Sequence, residues 1–175
     1  MTVVVLYESM FGNTRRIAEA IGDGLAESSD VRVEPVATGG AAADEADLVV
    51  VGAPTHAHSL PRAASREDAA KWAADSEKHL ALEPEAASPG VREWLDSRAG
   101  APAKWVAFGT RVDIPRIFAG DAAATIEKRM RRLGAHRPAA DSECFLVTLD
   151  NELVDGELDR ARAWGATLGR ELLGA

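Results

Sequence analysis

Cysteine is nearly absent from this 175-residue chain: only Cys144 is present. That excludes an internal disulfide and any metal or iron–sulfur centre built from a thiolate cluster. Cys144 lies in the apolar run Cys144-Phe145-Leu146-Val147, where a buried strand residue is expected and a nucleophile is not. Long apolar runs are also missing, so no membrane-spanning helix is expected. Basic residues are in the minority. Lys plus Arg is 20 and Asp plus Glu is 28, for a net charge of −8. This balance argues against a general nucleic-acid binder and reads first as a solubility device. The charge is uneven, with acids gathered after Asp141 and a basic stretch from Glu127 to Arg137, which leaves room for a charged docking face. The chain opens directly on a strand-like run, and its expected location is the cytoplasm.

What is present starts with Val5-Leu6-Tyr7-Glu8-Ser9-Met10-Phe11-Gly12-Asn13-Thr14, followed by Arg15-Arg16-Ile17-Ala18-Glu19-Ala20-Ile21. A strand ends at Tyr7, a short turn follows, and a helix starts near Thr14. Such a unit points several backbone N–H groups and the positive end of a helix dipole at one spot, which suits a phosphate. The turn carries no lysine, so the triphosphate loop Gly-x4-Gly-Lys-Ser/Thr is excluded. A cradle of neutral donors remains: hydroxyls from Ser9 and Thr14, the amide of Asn13 and close backbone approach at Gly12.

The spacing Val5-Leu6-Tyr7-x-Ser9-x-x-Gly12-x-Thr14-x-x-x-Ala18-x-x-Ile21 resembles the flavodoxin signature, and the whole pattern resembles the flavodoxin-like proteins of high-GC actinobacteria. The resemblance implies FMN as cofactor and a doubly wound α/β fold. That fold is a five-stranded parallel sheet of order 2-1-3-4-5 inside three α/β/α layers.

The hydrophobic pattern agrees, since strand-length apolar runs alternate with helical periodicity. Strands are expected at Thr2–Tyr7, Val31–Val36, Leu48–Ala53, Trp105–Gly109 and Glu143–Leu149. Helices are expected at Thr14–Glu27, Ser88–Arg98, Asp121–Leu133 and Gly156–Leu173, with a short helical turn at Asp44-Glu45-Ala46. In this topology the loops Ser9–Thr14, Pro54–Leu60 and Thr110–Gly120 converge at the carboxyl ends of the strands. The chain is expected to form one domain carrying an insertion at 61–87, within which Arg66–Glu77 reads as an extra helix. That helix is either solvated with Trp72 tucked against the domain, the favoured reading, or a lid or dimer contact. Arg62 and Arg66 are expected to be solvated, and Trp94, Trp105 and Trp164 to be core.

The resemblance also implies site residues. Ser9, Met10, Phe11, Gly12, Asn13 and Thr14 would take the phosphate end of FMN. In Gly52-Ala53-Pro54-Thr55-His56-Ala57-His58, Pro54 and Thr55 would lie beside the flavin. His56 takes the position where an aromatic commonly stacks, and His58 would lie near N5 or shield one face. The pair His56-x-His58 has no acidic neighbours and makes no firm metal site. Thr110, Arg111 and Asp113 belong to the loop that meets the pyrimidine edge. The only tyrosine, Tyr7, is already used in the first strand, so no tyrosine can stack there. Arg111 either places a positive charge at the flavin or forms a surface pair with Asp113. No catalytic residue and no metal ligand are expected.

Three functions are compatible with these residues. The first is an electron carrier using bound FMN, working with a redox partner protein or a small-molecule acceptor, as monomer or homodimer. The second is an NAD(P)H-dependent FMN quinone reductase. The third is a flavin-free binding module on the same fold. A response regulator is excluded, because the third strand ends in Gly52-Ala53-Pro54 with no phosphoacceptor aspartate and no lysine follows the fifth.

Overall fold

The computed structural model describes residues 1–174. Five strands, β1 (Thr2–Tyr7), β2 (Asp30–Pro35), β3 (Leu48–Pro54), β4 (Trp105–Val112) and β5 (Glu143–Val147), form one parallel sheet in the order β2-β1-β3-β4-β5. The expected sheet and strand order are therefore present. β1 and β3 lie inside the sheet and are apolar along their length because both faces are covered, whereas the edge strand β2 is only partly buried.

The helices are α1 (Asn13–Leu25), α2 (Val36–Gly39, continued by a 3₁₀ turn at Gly40–Asp44), α3 (Ala63–Ala74), α4 (Val91–Ser97), α5 (Arg116–Ala119), α6 (Ala122–Arg132) and α7 (Glu157–Leu172). One core layer joins Val3, Val5, Ile17, Ile21, Phe108, Phe145 and Leu168 beneath α1 and α7. The other joins Val4, Leu6, Val49, Val51, Leu95, Trp105 and Ile126 beneath α4 and α6. Trp105 is core as expected; Trp94 and Trp164 pack at the core margins. The seam between α1 and α7 is close enough to require glycine. A Cβ on Gly24 would stand 2.1 Å from the Arg162 carbonyl oxygen, and one on Gly165 would stand 2.2 Å from that of Ile21.

Several boundaries differ from those the sequence predicts, each for a visible reason. β4 runs on to Val112 because β5 supplies a partner as far as the pair Val112–Val147. β5 stops at Val147 instead of Leu149 because the chain folds back there. The Asn151 N–H donates to the Thr148 carbonyl, and Thr148 N–H donates to that of Glu152. α4 starts at Val91 instead of Ser88 because two carboxylates cap its amides: Glu93 accepts from Gly90 N–H and Glu8 from Val91 N–H, both at 2.9 Å. The extra helix lies three residues earlier than expected, at Ala63–Ala74, where the Asp75 carboxylate accepts from Glu77 N–H and ends it.

Arg66 is the clearest departure. Expected in solvent, it is buried at the root of α3. Its Nη1 donates to Glu8 Oε1 at 2.9 Å and its Nη2 to Glu93 Oε1 at 2.6 Å. Arg62 is exposed, as expected.

Candidate functional site

A cavity of about 400 Å³ opens at the carboxyl ends of β1, β3 and β4, beside the point where the strand order reverses. The first turn forms one end of it. Gly12 takes φ +96° and precedes α1 without any side-chain cap, so the amides of Asn13, Thr14 and Arg15 come before the first i−4 acceptor of the helix. The positive φ favours glycine here, and a Cβ would also press against the Glu83 carboxylate at 3.0 Å. Ser9 Oγ accepts from Gly12 N–H at 3.1 Å and holds the turn closed. The buried Thr14 and Thr110 hydroxyls share a hydrogen bond of 2.8 Å, which ties the first loop to the end of β4.

Ser9, Met10, Phe11, Asn13, Thr14, Pro54, Thr55, His56, Thr110 and Arg111 all line this cavity. Gly12, His58 and Asp113 do not. Gly12 shapes the turn from behind. His58 is exposed, at φ +66°, and bridges to Gly120 across the rim. Asp113 is exposed and uses its backbone N–H on the Val147 carbonyl at 2.8 Å. The Asn13 amide turns to the far wall and donates to the carbonyl and side-chain oxygens of Asn151, at 2.8 and 3.1 Å. Thr55 Oγ1 accepts from Ala122 N–H, fixing its loop to the start of α6.

Two lining nitrogens, His56 Nδ1 and Arg111 Nε, are buried without a hydrogen-bond partner. Arg111 spends Nη1 on the carbonyls of Val112 and Ile114 and makes no ion pair with Asp113 among the described residues. The surface-pair reading is therefore not realised. A buried donor left unmatched costs free energy that a bound ligand would recover.

Other lining residues were not predicted from the sequence. Trp72, Lys78 and Leu80 come from the insertion, and Thr148, Leu149 and Asn151 from the turn after β5. Trp72 is 40 % exposed, and its ring stands 6.0 Å from that of His56. It lines the cavity wall and is exposed, not tucked against the domain as the favoured reading expects. The Asp150-Asn151 pair was a turn signal, with Asn151 now at φ +61°. Nothing local to Trp72 distinguished it from a packing tryptophan.

Cys144 is half-buried in β5. Burial first, then the charge of Asp121, pushes its thiol up to about 12 against the pull of Arg111. A thiol raised this far is largely protonated near neutral pH. No group of three or more metal-ligating side chains is found among the described residues, and none of their helices is long and apolar enough to cross a membrane.

A parallel 2-1-3-4-5 sheet with a cavity at its switch point is the flavodoxin architecture, as the sequence resemblance implied. Residues 4–66 match the family model described as a flavodoxin domain. Solved structures agree on the fold. A flavodoxin from the domain Archaea is 22 % identical with a TM-score of 0.61, covering 97 % of each chain. Oxidised flavodoxin 1 from Bacillus cereus is 17 % identical with a TM-score of 0.63, over 98 % of this chain and 99 % of that one. A flavodoxin, WrbA-like protein from Agrobacterium tumefaciens is 16 % identical with a TM-score of 0.56, over 97 % and 95 %. No curated protein matches the sequence.

Proposed function

We propose that the chain is an FMN-binding redox protein that carries electrons through its flavin in the cytoplasm. The observation that carries this reading is the cavity itself. Uncapped amides of α1 and the Thr14–Thr110 hydroxyls stand at one end, and the unpaired nitrogens of His56 and Arg111 stand along the walls. The donor set fits a phosphate ester at the first turn and a planar, acceptor-rich ring between the Pro54–His56 and Thr110–Val112 segments. The Ser9 and Thr14 hydroxyls and the backbone N–H of Asn13 would hold the phosphate. Pro54, Thr55 and His56 would flank the ring, and Arg111 would face its acceptors. When bound, the flavin supplies the electron transfer. The protein supplies position, a fixed positive charge at Arg111 and exclusion of water by Met10, Phe11 and Trp72. No acid–base side chain is required.

The acceptor is a redox partner protein or a small molecule. A second reading, an NAD(P)H-dependent quinone reductase, is favoured by one observation: Trp72 and Leu80 cover part of the cavity with apolar surface suited to a small flat molecule. NAD(P)H consumption in the presence of a quinone separates the two readings.

The deciding experiment is an absorbance titration of the purified protein with FMN. Binding is expected to shift and structure the flavin bands, and an unchanged spectrum would overturn the proposal. Thr14→Val should weaken binding by about 1.5–3 kcal/mol, one hydrogen bond to a charged group. An unchanged Kd would remove Thr14 from the cradle.

A further inference from the structure

The insertion touches the first turn at both of its ends. At its near end Arg66, buried at 7 % exposure, grips Glu8, the residue before Ser9. The same guanidinium reaches Glu93 at the start of α4. At its far end Glu83 N–H donates to the Met10 carbonyl at 2.8 Å, while the Glu83 carboxylate accepts from Arg15 Nε at 2.7 Å. That carboxylate also lies against Gly12. Between these anchors the chain arches past the cavity and gives it Trp72, Lys78 and Leu80. Trp72 faces His56 on the opposite lip. Away from the anchors the arch is mostly solvent-exposed.

The geometry points to residues 67–82 acting as a strap that retains the cofactor, with Arg66 and Glu83 as its positioning residues and Trp72 as its contact with the ligand. This inference rests on the flavin reading and adds to it a control on exchange. Both anchors pull on the turn that would hold the phosphate, so one pair of attachments sets the wall and the cradle together. Neither Arg66 nor Glu83 lines the cavity, and each acts through the residues it holds. A strap closed in this way slows departure of a bound molecule more than it strengthens the contacts at the phosphate, so the effect belongs in the dissociation rate.

The test uses Glu83→Gln and Trp72→Ala, both at partly exposed positions where folding is retained, with a circular dichroism melt as the check. FMN dissociation is followed by the return of flavin fluorescence on dilution. Glu83→Gln is expected to speed dissociation about two- to fivefold, as for a partly exposed ion pair. Trp72→Ala is expected to speed it by roughly tenfold, as for loss of an aromatic contact. A second readout needs no flavin. Trypsin should cut at Lys71 and Lys78 of the FMN-free protein faster in Glu83→Gln than in the unsubstituted chain, because the arch has lost one attachment. If the unsubstituted protein binds FMN and both variants release it at the original rate, the strap is overturned and the flavin reading stands. If trypsin cuts the two proteins equally fast, Glu83 does not hold the arch and the strap is likewise overturned. If the unsubstituted protein takes up no FMN, the flavin reading falls and the retention role falls with it.

Discussion

Arg66 and Arg160 each bridge a pair of glutamates, yet one acid of the first pair and one of the second take opposite characters. Arg66 lies beneath the root of α3, with side-chain exposure of 6 % against 7 % for Glu8. Arg160 lies over the Phe145 ring, 4.4 Å from its centroid, half open to solvent. It bonds Glu143, Glu157 and the Cys144 carbonyl. Burial lifts Glu8 above the usual carboxylate range, in spite of the Val91 N–H and Arg66. Burial pulls Glu157 upward too, but its bonds to Arg160 and to Leu146 N–H outweigh it, and its carboxyl sits below the usual range. Glu93 shares Arg66 with Glu8 yet is much more exposed, and its bonds to Arg66 and Gly90 N–H likewise overcome burial and lower it. The partner's chemistry is the same in each case. Glu8 and Glu157 are themselves equally little exposed, at 7 %. Glu157 takes two bonds from Arg160 and one from Leu146 N–H, whereas Glu8 takes one from Arg66 and one from Val91 N–H. The donors each acid receives decide the direction.

The largest expected effect breaks the buried cluster. Arg66→Met leaves Glu8 without its cation and should cost about 3–5 kcal/mol in urea denaturation. A loss below about 1 kcal/mol would show that the two clusters do not differ as their burial says. Arg160→Met should cost only about 1 kcal/mol by the same measurement, since water replaces much of what the guanidinium offers. A larger loss would make the second cluster as structural as the first.

The smallest effect is a difference in pH dependence. Glu157, held below its ordinary 4.5, contributes stability that is present above that value and lost as pH falls through its folded pKa. Glu8, held above 4.5, opposes folding above its own folded pKa and is relieved as pH falls through it. Urea midpoints taken from about pH 7 to about pH 3 should therefore decline less in acid for Glu157→Gln and more steeply for Glu8→Gln than for the parent. Parallel curves for all three proteins would remove the contrast.

The same contrast explains what was legible beforehand. The first turn could be read because its determinants are local: the apolar run Val3–Tyr7, Gly12 where φ is positive, and the helix that follows. The parallel order could be read because unbroken apolar runs alternate with amphipathic segments. Arg66 was misread because a charge in sequence does not reveal a partner 58 residues away. Without that contact the insertion had no fixed place, and Trp72, Lys78 and Leu80 could not be assigned to the cavity. Glu8 lay inside the recognised motif but had no role until Gly90-Val91 was folded against it. Asn151 was hidden similarly, since its link to Asn13 spans 138 residues.

The glycine seam has a bearing on synthesis. α1 is made early, yet the helix that covers it, α7, comes from a much later stretch of the chain. Until that stretch leaves the ribosome, the outer side of α1 has no cover and edge strand β5 lacks the helix that follows it. A nascent chain of this protein is therefore open to misassociation at that face until Glu157–Leu172 has emerged.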